Sequence, residues 1–232
     1  MLLDHVVLFV DDLDDAVNIF SSYGFTVTPG GINGPTHNAL IAFENETYIE
    51  LIALQKRTTR QLFKFMRLSG LLRLRSLVTT DLNNRLFGWF SKPQGFRDIC
   101  FRAASLEEVS RECQARGIAL TPIIPFNRHR PDGITVSWYL AGTANDEEPF
   151  FIEDKTPLNL LIPDGAARIH DNGAVGITEV ETKVPLSFSV ANASISDNSG
   201  IRGKFSISIK TASSARDLDL PSSYAANIRL IN

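Results

Sequence analysis

Residues 3–29 read LDHVVLFVDDLDDAVNIFSSYGFTVTP, and this stretch decides the fold. Leu3 to Val10 is a β-rich apolar run interrupted only by Asp4 and His5. Leu13, Ala16, Val17 and Phe20 then fall at i, i+3, i+4 and i+7, the apolar stripe of an amphipathic helix. Asp11 or Asp12 can cap that helix by accepting from its free backbone N–H groups. Gly24 can take the left-handed conformation that ends it. Phe25 to Thr28 starts a second strand, which Pro29-Gly30-Gly31 breaks.

The same pattern returns 93 residues later. Arg97 to Ala103 is again strand-like. Ser105 and Glu108 form a capping box ahead of the stripe Leu106, Val109 and Cys113. Gly117 follows Ser105 by 12 residues, as Gly24 follows Asp12, and Thr121-Pro122 repeats Thr28-Pro29 at the same offset. Two further strands, Asn38 to Phe43 and Thr47 to Ala53, are echoed by Ile134 to Ala141 and Pro149 to Asp154. Aligning Tyr48-Ile49-Glu50 with Phe151-Ile152-Glu153 moves the offset of the last strand to 103.

The fold class expected is therefore α+β, with paired βαβββ modules forming a curled mixed sheet around a cavity. The first module spans 1–53 and the second 97–173. Residues 54–96 form a basic helical insertion, with nine Lys or Arg against one acid, Asp81. It reads as a solvated helix face packed on the sheet, the alternatives being a lid over the cavity or a membrane contact. Residues 174–232 are β-rich, either a degenerate third module or an appendage covering a sheet edge.

Composition bounds the function classes. The chain has 232 residues, 44% hydrophobic and 21% charged, with a net charge of -3, an ordinary soluble globular profile. That acidity argues against nucleic-acid binding. No apolar run approaches the roughly 18–20 residues that span a bilayer. The N-terminus lacks the basic region, apolar core and cleavage site of a secretory signal. Cys100 and Cys113 show no CxxC spacing and read as reduced core thiols, so a cytoplasmic location is expected. P-loop, dinucleotide, nucleophile-elbow and H-E-x-x-H signatures are missing.

A series of segments resembles the vicinal-oxygen-chelate superfamily, and within it the glyoxalase-like domain proteins of bacteria and fungi. The series starts with Leu3-Asp4-His5-Val6-Val7 and Asp11-Asp12-Leu13, then Gly30-Gly31, Thr36-His37-Asn38 and Tyr48 to Ala53. It continues with Arg130-Pro131-Asp132-Gly133, Trp138, Pro149-Phe150-Phe151, Thr156-Pro157 and His170 to Ile177, covering roughly residues 1–180. The resemblance implies one cavity per module pair and a small-molecule ligand, and relatives often form homodimers. Active relatives hold a divalent metal; others are metal-free and sequester small molecules.

The family's metal positions map onto His5, Glu50, Asp98 and Glu153. The internal repeat gives the same set, pairing His5 with Asp98 and Glu50 with Glu153. One imidazole and three carboxylates can hold Mg²⁺, Mn²⁺, Fe²⁺ or Zn²⁺, the oxygen-rich set favouring the first three. On this reading the chain is a metal-dependent lyase, isomerase or ring-opening enzyme, with Glu50 or Glu153 as catalytic base. The alternative for the same residues is a hydrogen-bonded polar group in a metal-free binding protein, with Asp98 paired to Arg97 or Arg102. Arg128 and Arg130 flank the turn Pro131-Asp132-Gly133 and can present a fork to a carboxylate or phosphate; turn scaffolding is the plainer role. Trp138 reads as cavity wall. His37 beside Asn38 stands in for a histidine that the resemblance expects after Gly30-Gly31.

Overall fold

The computed structural model describes residues 1–69, 82–129, 133–201 and 203–232. The first module runs β1 (Leu2–Phe9), α1 (Leu13–Ser22), β2 (Thr28–Asn33), β3 (Thr36–Ala42) and β4 (Tyr48–Leu54). Among the described residues two insertion helices follow, α2 (Arg57–Leu68) and α3 (Leu82–Ser91). The second module runs β5 (Gly95–Arg102), α4 (Leu106–Ala115), β6 (Ile124–His129), β7 (Thr135–Gly142) and β8 (Phe150–Asp154). Local chemistry sets the two helices at the same place in each copy. Asp12 accepts from Asp14 N and Asp15 N at 3.1 and 3.4 Å, and Ser105 Oγ accepts from Glu108 N at 3.3 Å. Each such cap contributes about 1 kcal/mol. Gly24 and Gly117 follow the helices at φ 84° and 68°, where a Cβ would be strained.

The eight strands form one mixed sheet in the order β2-β3-β4-β1-β5-β8-β7-β6. The modules meet through the antiparallel pair β1–β5, and inside each module the first and last strands run parallel. Strand alternation sends every second side chain to opposite faces. One face packs on α1 and α4: Leu3, Val6, Leu8, Ile49, Leu51, Ile99, Phe101 and Phe151 share a core with Leu13, Phe20, Leu106 and Val109. The other is the inside of the curl. Arg128 on β6 donates from Nη2 to Leu161 O at 3.2 Å, and Leu161 packs against Leu40, Ala42 and Tyr48 of β3 and β4. The sheet edges nearly meet, since a Cβ on Gly31 of β2 would lie 3.1 Å from Arg128 Cδ.

Two groups of apolar side chains pack on that inner face. Phe63 of α2 and Trp89 and Phe90 of α3 pack on Val7, Phe9, Ile52, Leu54 and Phe150. A short helix α5 (Leu158–Leu161) with Ile162 covers Leu40, Ala42 and Tyr48. In the described part of the basic insertion, Phe63, Trp89 and Phe90 make the contact with the inner face; Arg73, Arg75 and Asp81 lie outside the described residues.

The C-terminal segment builds a second sheet from β9 (Ala174–Thr182), β10 (Ser194–Asp197), β11 (Phe205–Thr211), β12 (Arg216–Asp217) and β13 (Asn227–Ile231). Its order is β10-β9-β11-β13-β12. The pairings along it run parallel, antiparallel, parallel, antiparallel. In chain order and in sense this repeats β4-β1-β5-β8-β7 of the large sheet, with no α-helix among the described residues. Ile177, Val180, Phe205, Ile207, Ile209 and Leu230 bury into the same core as α1 and α4. The segment therefore covers the outer face of the large sheet, not an edge. The His170-Asp171-Asn172-Gly173 stretch joins the two layers. His170 Nδ1 accepts from Thr26 N at 2.9 Å, its Nε2 lies 3.0 Å from Ala42 O, and Asn172 Nδ2 donates to Tyr23 O at 3.0 Å.

Candidate functional site

The polar groups of the inner face gather where β1 lies against β4. His5 and Glu50 both point inward, with His5 Nε2 3.7 Å from Glu50 Oε2. On its other side His5 Nδ1 lies 2.6 Å from Asp4 Oδ2. Asp4 sits at the irregularity in the β1–β5 pairing between Leu3 and His5, which lets two successive residues reach one cluster. Burial alone would raise the Asp4 carboxyl, but the His5 hydrogen bond and the Arg102 charge outweigh it and hold it below the ordinary value. An ionised carboxylate only accepts, so Nδ1 carries the proton and Nε2 is left facing Glu50. The His5 ring is stacked on Tyr48 at 4.5 Å and meets the edge of Phe150 at 5.4 Å, which fixes its plane.

Glu50 is oriented in turn. Asn38 Nδ2 donates to Glu50 Oε1 at 2.5 Å, and Gly31 N donates to Asn38 Oδ1 at 2.7 Å. A Cβ on Gly30 would collide with Asn38 Oδ1, so the glycine is what lets β2 approach Asn38. Behind Asp4, Arg102 pairs with Asp4 and lies 3.2 Å from Asp154 Oδ2. Asp154 is pushed up to about 6, by burial first and then by Asp4, with Arg102 opposing.

Two of the four expected metal ligands are held elsewhere. Asp98 receives Arg85 Nε and Nη2 at 2.7 and 2.6 Å, Trp89 Nε1 at 2.9 Å and its neighbour Ile99 N at 3.0 Å. Its partner is thus Arg85 of α3, and neither Arg97 nor Arg102. Glu153 lies on the opposite face of the sheet. Its Oε2 accepts from Leu106 N at 2.9 Å, at the start of α4, and its Oε1 pairs with Lys155.

Strand pairing explains the misplacement. Val7 faces Glu50 across β1–β4, and Cys100 faces Phe150 across β5–β8. At the 93-residue offset that relates α1 to α4, Val7 corresponds to Cys100, so the counterpart of Glu50 is Phe150. The last strand repeats at 100 residues, and an alignment at 103 slips it by three, an odd number that reverses the face.

The donor chemistry does not fit the expected ion. His5 and Glu50 remain as a pair, while the second module offers an aromatic ring and a carboxylate already bound to an arginine. Asp4, His5 and Cys100 also bring donor atoms within 4.8 Å of one another. There the cation is supplied by Arg102, and burial, followed by Asp4 and Asp98, pushes the Cys100 thiol well above its ordinary value.

The remaining expected residues divide by face. Trp138 and Phe126 are inward, stacked at 6.2 Å with an interplanar angle of 10°. Arg128, on the same face of β6 as Phe126, is half-buried. Asn38 is in the cluster, but its neighbour His37 points to the other face, paired with Ala53. Arg130 lies outside the described residues, with Pro131 and Asp132. Sequence reading missed Asp4, Tyr48, Arg85 and Arg102 as parts of the site. The adjacency of Asp4 to His5 was the one local signal; Arg85 meets Asp98 only through tertiary packing.

A family model described as glyoxalase-like domain matches residues 3–193. The chain belongs to the glyoxalase-like domain family. A hypothetical protein from Staphylococcus aureus is similar in structure, with 19% identity and a TM-score of 0.69, covering 99% of this chain and 98% of its own. A Mn(II)-bound glyoxalase from Novosphingobium aromaticivorans shares 11% identity and a TM-score of 0.52, covering 99% of this chain and 81% of its own. At these identities the likeness establishes the fold of this glyoxalase-like protein. No curated protein sequence matches it. Among the described residues no helix is long and apolar enough to cross a membrane.

Proposed function

We propose that this glyoxalase-like protein binds a small oxygen-rich molecule on the inner face and moves a proton on it without a metal ion. The observation that carries the reading is the line Asp4–His5–Glu50, with spacings of 2.6 and 3.7 Å. Asp4 is a positioning residue that fixes the tautomer and plane of His5. His5 Nε2 and Glu50 are the groups facing the ligand, one taking a proton from a C–H or O–H and the other returning one. General acid–base help of this kind is worth about 10²–10⁴ in rate. Glu153, bonded to α4 on the other face, has no part in it.

The reading calls for no nucleic-acid partner and is compatible with a cytoplasmic protein. Its test is deuterium uptake from D₂O at activated C–H positions in a panel of small 2-oxo and 2-hydroxy carbonyl compounds, followed by NMR. Uptake is expected with wild type after prolonged chelation, and its loss in His5→Ala and Glu50→Gln. Exchange that disappears with chelation and returns with Mn²⁺ would contradict it. If a ligand binds saturably and none of its protons exchanges, the metal-free sequestering alternative takes over.

A further inference from the structure

Opposite the His5–Glu50 pair, the inner face of β6 and β7 carries a second group of residues. Phe126 and Trp138 face each other across the two strands and lie almost parallel, at 10°. Arg128 follows two residues after Phe126 on the same face. Among the described residues its guanidinium has one hydrogen bond, Nη2 to Leu161 O at 3.2 Å, and no carboxylate pairs with it. The contrast with the other inward arginines is plain: Arg85 is matched to Asp98, and Arg102 to Asp4. An inward guanidinium with unspent N–H groups is a fork for a planar anion.

Arg128 is also linked to the acid–base pair by short steps. Its Cδ would be 3.1 Å from a Cβ on Gly31, Gly31 N lies 2.7 Å from Asn38 Oδ1, and Asn38 Nδ2 lies 2.5 Å from Glu50. Glycine at 31 keeps that space for the Arg128 stem. The rings, the guanidinium and the proton-handling pair therefore all belong to the inner face of the one curled sheet.

We infer that the ligand is a planar conjugated carboxylate, its carboxylate on Arg128 and its flat body along the Trp138–Phe126 wall. This rests on the acid–base reading of His5 and Glu50 and names the substrate class for that site. A flat π-system gains contact with both rings, and stacking of this type contributes about 0.5–1.5 kcal/mol beyond area burial. The carboxylate accepts the N–H groups that Leu161 leaves free.

Isothermal titration of the full chain with four probes tests it: trans-cinnamate, cinnamamide, cyclohexanecarboxylate and inorganic phosphate. Cinnamate is expected to saturate, with the other three at least about tenfold weaker, a difference of about 1.4 kcal/mol. Arg128→Gln should weaken cinnamate about tenfold and leave cinnamamide unchanged, and Arg128→Lys should recover part of the loss. Trp138→Leu should weaken cinnamate and cinnamamide together. Unchanged cinnamate affinity in a folded Arg128→Gln, equal binding of cyclohexanecarboxylate or phosphate, or no saturable binding of cinnamate each overturns the inference. Wild type, assayed for both binding and exchange, separates the two readings. Cinnamate binding while no compound exchanges deuterium removes the acid–base reading alone. Exchange confined to compounds without a carboxylate removes the planar-carboxylate inference alone.

Discussion

The two modules share a backbone plan and treat their inner-face positions in opposite ways. In the first, His5 and Glu50 stand 3.7 Å apart, with side-chain exposures of 5% and 17%. In the second, the corresponding positions are Asp98, clamped by Arg85 and Trp89, and Phe150, packed against His5 and Trp89. One half of the duplicated site keeps an imidazole–carboxylate pair, and the other is converted into structure. The insertion helix α3 makes the conversion, because both Arg85 and Trp89, one helical turn apart, come from it. Duplication thus preserves a scaffold while one copy of its site is filled by a segment that the repeat does not contain.

The largest effect expected from breaking this contrast is at Arg85. Arg85→Ala leaves Asp98 charged, 1% exposed and without its cation. Removing one partner of a buried pair costs about 3–5 kcal/mol. Urea unfolding should show that loss, and Arg85→Met with Asp98→Leu should recover most of it. A loss below about 1 kcal/mol for Arg85→Ala would mean that the clamp does not hold the second half-site shut.

The next effect is pH dependent. Asp154 titrates at about 6 in the fold, against an ordinary value of 3.8. A carboxyl raised on folding adds stability in its protonated form. That contribution is complete below pH 3.8 and is lost as the pH rises through about 6. Asp154→Asn should therefore be more stable than wild type above pH 6, by up to about 3 kcal/mol. The gap should close as the pH falls toward 3.8. Equal stability at pH 5 and pH 8 in both proteins would remove Asp154 from the buried charge cluster.

The smallest effect separates Glu153 from Glu50. Glu153→Ala removes the acceptor of Leu106 N and should cost about 1 kcal/mol, the price of a helix cap. Deuterium exchange at the site should be unchanged in that variant and absent in Glu50→Ala. A Glu153→Ala protein that folds normally and has no exchange would place the site on the wrong carboxylates.

Much of the scaffold was legible because helix signals are local. Asp12 and Ser105, the two apolar stripes and Gly24 and Gly117 fix α1 and α4 by short-range chemistry. The last strand was not, since Tyr48-Ile49-Glu50 and Phe151-Ile152-Glu153 look alike in residue type. A strand's face depends on its pairing partners, and a slip of three residues exchanges Phe150 for Glu153. The fate of Asp98 was hidden for a different reason. Arg85 sits 13 positions away on an inserted helix, with no periodicity linking the two. His5 and Glu50 were recognisable from the resemblance and the repeat. Their supports, Asp4 and Asn38, depend on a strand irregularity and on the Gly30-Gly31 approach.

The most direct test is elemental analysis of the natively purified protein, paired with deuterium exchange before and after chelation. A protein whose second half-site is closed by Arg85 and Phe150 should carry Mg, Mn, Fe and Zn well below stoichiometry and keep full exchange activity after chelation. A stoichiometric divalent ion that is lost in His5→Ala, with exchange following the ion, would contradict it.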